Sequence, residues 1–412
     1  MPIFRIAPTL LNTMKKTGVI AFSGGLDTSF LVPFAKEKYG LDRVITCTIN
    51  TGGFTEFDLE KISARSAELK ADEHININAQ DEFYRTVIQY LIYGNVTRDG
   101  YPLSVGSERL IQAKRVVEIA IQKGATHILH GSTGAGNDQY RFDIAIQIFG
   151  KQRIQCLTPI REFGITREFS TNFLKENGFS VTEKTSKYSY NAGLFGVSIG
   201  GVETHSSTGL LPDSAWYSQA NQNKEGETIT LDFSKGTISK LESSLGIETN
   251  PINVIQALTK IGSDYGIGRH YHTGTSIPGK KGRIAYESPA ADIIYEAHRT
   301  LEKITMTQAQ IMGKKHLSDE YGKLIHEAKF FDPFRTDIEC FLESTQKRVT
   351  GTTNIHLAPG YIKAVTADSP YNLLAAKGAT YGEMSSFYDG RDAIGATKLY
   401  GFEQYLYHYV NG

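Results

Sequence analysis

Ala21-Phe22-Ser23-Gly24-Gly25-Leu26-Asp27-Thr28-Ser29 decides how this chain is read. A short apolar, β-rich run at residues 18–22 precedes the turn, and apolar residues recur at helical spacing over residues 30–39. The sequence therefore predicts strand, turn and helix in that order, with the turn at residues 23–29. The glycines allow a tight turn and the close approach of an anion. Backbone N–H groups, hydroxyls and the positive end of the helix dipole converge on one point, which suits pyrophosphate. No lysine lies in the stretch, which argues against a Walker-type loop, and the Gly-x-Gly-x-x-Gly of a dinucleotide fold is missing.

Outward from this turn, strands are expected at residues 44–49, 74–77, 126–130 and 153–157, with helices at 58–70, 82–93, 108–122 and 138–149. Such alternation predicts an α/β, doubly wound parallel sheet covered by helices on both faces, with ligands at the carboxyl ends of its strands. The turns at 23–29, 50–53 and 131–136 then share one edge. Composition changes near residue 180, so three units are expected: 1–180, 181–380 and 381–412. In the second unit, residues 229–233 and 237–241 read as a hairpin, residues 252–261 and 293–301 as helices, and 348–357 with 361–365 as a strand pair, giving an α+β domain. Leu399, Phe402, Tyr405, Leu406 and Tyr409 form an apolar helical stripe. It either folds back on its own domain or packs as an arm on another subunit.

With 412 residues and 40% hydrophobic content, the chain has ample core material for more than one domain. Lys plus Arg equals Asp plus Glu at 44 each, so no global field recruits nucleic acid or a membrane, and small-molecule partners are expected. Cys47, Cys156 and Cys340 are widely spaced and form no Cys-x-x-Cys, which predicts core thiols, no metal site and a reducing, cytoplasmic compartment. Nowhere do 18 apolar residues run together, and the first 13 contain no signal-like run. Met14-Lys15-Lys16 reads as a second possible start.

A second strand, glycine turn and helix start appears in His130-Gly131-Ser132-Thr133-Gly134-Ala135-Gly136-Asn137-Asp138-Gln139-Tyr140-Arg141-Phe142. Thr133 and Asn137 beside a helix N-terminus can hold a carboxylate, and Asp138 can receive an ammonium, so the turn reads as an amino-acid clamp. Taken together, the two glycine turns resemble those of the argininosuccinate synthase family. Tyr101-Pro102-Leu103, Tyr188-Ser189 with Ser198-Ile199, Gly266-x-Gly268-Arg269 and Tyr286-Glu287-x-Pro289 extend the likeness in order over most of the chain.

The resemblance implies an adenine-nucleotide alpha-hydrolase-like sheet and an ATP-dependent ligase that joins citrulline to aspartate through a citrullyl-adenylate, releasing AMP and pyrophosphate. It implies an ATP site made of residues 21–29, Ile49, Gly131, Thr133, Gly134 and Gly136, with magnesium accompanying the nucleotide. Aspartate would be held by Thr133, Asn137 and Asp138. Citrulline would meet Tyr101, Ser107, Asn137, Arg141, Ser189, Ser198 and Tyr286. Asp27, Asn137, Asp138 and Arg141 are the residues expected to serve the chemistry, and a homotetramer is implied.

Three positions depart from the family pattern. Ala135 stands where a lysine is common, so Arg109, Lys114, Lys280 or Lys281 is expected to supply the cation. Gly106 replaces a serine or threonine beside Ser107. Gly274 falls where a glutamate would take citrulline's α-ammonium, leaving either Glu203 or Glu287 to replace it or an N-acylated citrulline as substrate; free citrulline is the expectation. Competing readings are another adenylylating ligase, a tRNA-modifying thiolase, which needs a basic face and catalytic cysteines, and a non-catalytic nucleotide or amino-acid sensor.

Overall fold

The computed structural model describes residues 15–134, 136–181 and 187–412. The start at Met14 and the departure at Ala135 lie outside them.

Five parallel strands, β1 (Thr17–Ala21), β2 (Arg43–Asn50), β3 (Glu73–Asn78), β4 (His127–Leu129) and β5 (Gln155–Leu157), lie in the order β3-β2-β1-β4-β5. Successive side chains of a strand face opposite sides, so Val19 joins the core cluster on one face and Ile20 the cluster on the other. Both are fully buried, as expected of an inner parallel strand. Phe30, Leu31 and Phe34 of the helix Leu26–Tyr39 fill the second cluster, where Phe30 meets Phe173 edge-on at 5.1 Å between ring centres. From β1 the chain steps outward through β2 to β3, then jumps back to β4 on the other side. The sheet therefore reverses between β1 and β4, and a crevice opens at that switch point.

Beyond residue 187 two antiparallel sheets follow. One runs β11-β12-β7-β6, from β6 (Ser189–Gly193), β7 (Gly196–Gly200), β11 (Arg269–Thr275) and β12 (Lys281–Glu287). The other runs β10-β9-β8-β13-β14, from β8 (Glu227–Ser234), β9 (Thr237–Ser243), β10 (Gly246–Glu248), β13 (Gly351–Ala358) and β14 (Tyr361–Asp368). The expected hairpin and strand pair belong to the second of these. Its inner face packs on the helix Pro289–Thr305, whose buried side includes Ile293, Ile294, Ala297 and Leu301. One continuous apolar cluster runs from Val19 of the parallel sheet to Leu357 of β13.

Four local expectations change. The first helix begins at Leu26, so Asp27, Thr28 and Ser29 form its first turn; extended Gly25 (φ −73°, ψ 170°) is its N-cap. The helix expected from 108 begins at Ser104, because Leu103 takes a left-handed conformation (φ +56°) and launches it a turn earlier. The helix expected at 82–93 comprises Gln80–Phe83, a π-helical turn Tyr84–Ile88 and Gln89–Gly94. The terminal stripe spans two helices, Gly390–Tyr400 and Phe402–Asn411, and Leu399, Phe402, Tyr405 and Tyr409 are all exposed. The stripe is therefore not folded onto the core. Among the described residues no helix is long and apolar enough to cross a membrane.

Candidate active site

The crevice at the switch point opens into a cavity of about 1200 Å³, walled by the parallel sheet on one side and the four-stranded sheet on the other. On the first wall, Ser23, Gly25, Leu26, Asp27 and Thr28 face the space together with Ala21, Phe22 and Ile49. The first amides of the helix Leu26–Tyr39 have no intrahelical acceptor, so they are donors available to an anion. Ser23 Oγ and Thr28 Oγ1 lie 3.3 Å apart, holding both hydroxyls at the turn. Ser29 Oγ instead donates back to Gly24 O, receives Arg65 Nε at 3.2 Å and does not line the cavity. Gly24 is needed by the backbone (φ +73°) and its missing Cβ leaves room for Ile62 3.2 Å away. Burial raises the Asp27 carboxyl above its ordinary value, against the pull of the Arg167 guanidinium.

The second turn closes down on the first: a Cβ on Gly131 would lie 3.2 Å from Asp27 Cβ. A brace of side chains sets its shape. Gln139 Nε2 donates to Gly134 O and Gly136 O at 2.9 and 3.0 Å, Arg161 Nη1 donates to Gln139 Oε1, and Arg161 also grips Asp143, which accepts from His130 Nε2 at 2.9 Å. Gly131, Thr133, Gly136, Asn137 and Asp138 line the cavity, whereas Gly134 serves as a brace point. Asn137 Oδ1 accepts from Ile277 N at 2.9 Å, tying the turn to the β11–β12 loop.

Asp138 stands between two guanidiniums, with Arg141 Nη1 at 2.7 Å and Arg109 Nε at 3.3 Å. Burial alone would raise its carboxyl, but Arg109 and Arg141 hold it below the ordinary range. Arg141 also donates to His326 O at 3.1 Å. A Cβ on Gly106 would lie 3.0 Å from Arg141 Nη2, so the glycine leaves the guanidinium its place. Arg109 Nη1 continues the chain to Gln112 Oε1, Gln112 Nε2 to Thr51 Oγ1, and Thr51 Oγ1 to Glu108 Oε2 at 3.0 Å. Glu108 is buried; burial pushes its carboxyl up to about 8, and its other oxygen has no partner.

The two walls interlock through glycines. A Cβ on Gly53 would lie 2.2 Å from Ala192 O, and one on Gly193 would strike Glu108 Oε1. Tyr101, Ser189 and Ser198 line the cavity, and Tyr101 stacks on His272 at 5.3 Å between ring centres. Ser107 and Tyr286 do not line it: Ser107 Oγ donates to Leu103 O because the helix has already begun, and Tyr286 OH donates to Gly100 O while its ring packs on Tyr101 at 4.9 Å. Of the cations expected to stand in at the second turn, only Arg109 lines the cavity. Arg167, which the sequence reading passes over, also faces it, from the N-terminal turn of the helix Arg167–Glu176. Glu108, Gln112, His272 and His326 are further lining residues that no motif announces.

An open parallel sheet with its crevice at the switch point, roofed by an antiparallel sheet, is the class of protein these features define. Residues 17–180 match the family model described as the arginosuccinate synthase N-terminal HUP domain, and residues 188–407 match the arginosuccinate synthase C-terminal domain. The chain is 33% identical to the argininosuccinate synthase of Methanocaldococcus jannaschii, over 96% of this chain and 98% of that one. It is 34% identical to that of Dictyoglomus turgidum and 33% identical to that of Xylella fastidiosa, each over 96% of this chain and 98% of the relative. The chain belongs to the argininosuccinate synthase family.

Proposed function

We propose that the chain condenses citrulline with aspartate, using ATP and releasing AMP and pyrophosphate. The observation that carries this reading is the convergence of two glycine turns and the Asp138–Arg141 pair on one cavity. The triphosphate lies on the amides of the helix Leu26–Tyr39 with Ser23 and Thr28, and Ala21, Phe22 and Ile49 supply an apolar wall for the base. Citrulline's ureido oxygen attacks the α-phosphorus and pyrophosphate leaves. The amine of aspartate, held by Thr133, Asn137 and Asp138, then displaces AMP at the ureido carbon and loses a proton. The protein's part is alignment and neutralisation of charge, with no covalent protein intermediate.

Asp27 and Asp58 line the phosphate side of the cavity and are hard oxygen donors of the kind magnesium takes. They would hold a nucleotide-bound ion, which would supply charge neutralisation on the leaving pyrophosphate. Of the three cysteines expected as core thiols only Cys47 is buried, Cys156 being half-buried and Cys340 exposed on a helix surface; all three are free thiols, which supports the reading of a reducing, cytoplasmic compartment. The exposed aromatic stripe of the last two helices supports a homo-oligomer, a tetramer by family likeness.

The test is product analysis with ATP, aspartate and ureido acids, with Asp138→Asn alongside. The expected products are AMP and pyrophosphate; stoichiometric ADP overturns the reading. Asp138→Asn should raise the KM for aspartate about tenfold or more and that for ATP far less, as expected for one charge-assisted hydrogen bond. Equal effects on both would remove Asp138 from the aspartate clamp.

A further inference from the structure

The proposed chemistry fixes how a ureido acid lies in the cavity. Its ureido end must reach the phosphate turn, so its amino-acid end, at the far end of the alkyl chain, lies toward the four-stranded sheet. Among the described residues no acidic side chain of that wall lines the cavity: its strands contribute residues such as Ser189, Asn191, Ser198, His272, Gly274 and Gly282.

The cavity-lining carboxylates among the described residues are Asp27, Asp58, Glu108 and Asp138. Asp27 and Asp58 flank the phosphate side, Asp138 pairs with two arginines and in the proposed reaction serves the amine of aspartate, and Glu108 is hydrogen-bonded to Thr51 on the β2 side. The two acids that the sequence offers as substitutes are occupied elsewhere. Glu203 pairs with Lys187 and Tyr188, Glu287 accepts from Ser218 and faces Arg269, and neither lines the cavity.

The charge facing this wall is mixed at His272 and positive at His326. Burial pushes both His272 and His326 down, His326 to about 4; at His272 Asp99 opposes this more than Arg98 adds to it, whereas at His326 Arg98 and Arg141 both add to it. An ammonium beside His326 faces the same arginines. There is also unusual room: Gly274 and Gly282 stand directly opposite each other on β11 and β12, and both line the cavity. A Cβ on Gly282 meets nothing within 4 Å, whereas the His272 ring fills the space beside Gly274, where a Cβ would lie 2.4 Å from His272 Nε2. Opposite residues of an antiparallel pair share a face, so Gly282 leaves an open space in the wall next to the His272 ring.

We infer that the chain also ligates ureido acids whose α-nitrogen carries a neutral acyl group, the acyl amide lying in the open space beside Gly282. This rests on the ligase reading above. No lining carboxylate among the described residues is left for an α-ammonium, so acylation breaks no ion pair with the cavity lining.

The test compares kcat/KM of the full chain for citrulline and for Nα-acetylcitrulline, with AMP release as readout. The acetyl compound is expected to equal or exceed citrulline; a preference for citrulline overturns the inference. AMP from citrulline alone overturns the inference but leaves the ligase reading intact, whereas no AMP from either overturns both. Gly282→Glu places a carboxylate in that open space. It should shift the ratio of kcat/KM values toward citrulline by about tenfold, roughly 1.4 kcal/mol of differential binding. An unchanged ratio would show that the amino end lies elsewhere and would also overturn the inference.

Discussion

Among single residues, Arg167 and Glu108 illustrate what the linear motifs omit. Arg167 faces the cavity beside Asp27 from a helix that begins far along the chain, so only the fold brings it to the phosphate side. Replacing it with alanine should lower kcat/KM for ATP by about ten- to a hundredfold, the range for losing one preorganised charge contact on a developing anion. Steady-state kinetics with varied ATP would show this, and an unchanged value would detach Arg167 from the phosphates.

Glu108 titrates the other way from most surface acids. Its ordinary value is 4.5 and in the folded chain it is about 8, so the folded state holds this proton where the unfolded chain has released it. Its contribution to stability therefore falls as pH rises from 4.5 toward 8 and is level above that. Glu108→Gln removes the penalty. Its melting temperature should exceed the parent's by a few degrees at pH 8.5 and by much less at pH 5; equal gains at both pH values would refute the buried-acid account.

At the level of elements, the parallel sheet and both glycine turns were legible because apolar strands, punctuating glycines and helical periodicity agree there. The boundaries were less so. Ser107 stands just before the helix expected from 108 and is expected to meet citrulline, yet the helix launched by Leu103 in a left-handed conformation carries it past the cavity. The β6–β7 hairpin and β11–β12 were hidden because their strands are polar and glycine-rich, with sheet pairing rather than alternation fixing them.

Equally unannounced is the buried cluster where the segment Gln89–Gly94 enters the second region. Lys314 Nζ meets Glu302 at 2.7 Å and Tyr93 O at 2.9 Å, and Gln346 and Asn95 complete the carboxylate's shell. Lys314→Met leaves Glu302 buried without its cation and should cost about 3–5 kcal/mol in urea unfolding. Adding Glu302→Gln should recover part of that loss. No recovery would mean that the lysine acts by packing alone.

For the molecule as a whole, the terminal helices are the conspicuous unpartnered surface. Tyr400 is 91% exposed and Leu399 81%, an apolar face of the kind that water-soluble chains normally cover. Truncation at Gly390 should reduce the solution mass measured by light scattering. An unchanged mass would relieve the arm of any part in assembly.

The continuous core that begins at Val19 and closes only with Ile355 and Leu357 bears on how the protein is made. As the chain leaves the ribosome, Val87, Leu91 and Tyr93 emerge early, whereas the helices and strands that cover them are synthesised late. At roughly 5–20 residues per second, that wait lasts tens of seconds. Throughout it, the parallel sheet is topologically complete while the apolar face around Val87, Leu91 and Tyr93 still lacks the partners that bury it, and chaperone engagement is the expected outcome. Early termination near residue 181 should accordingly be punished by degradation, even though every phosphate-facing motif has by then been translated.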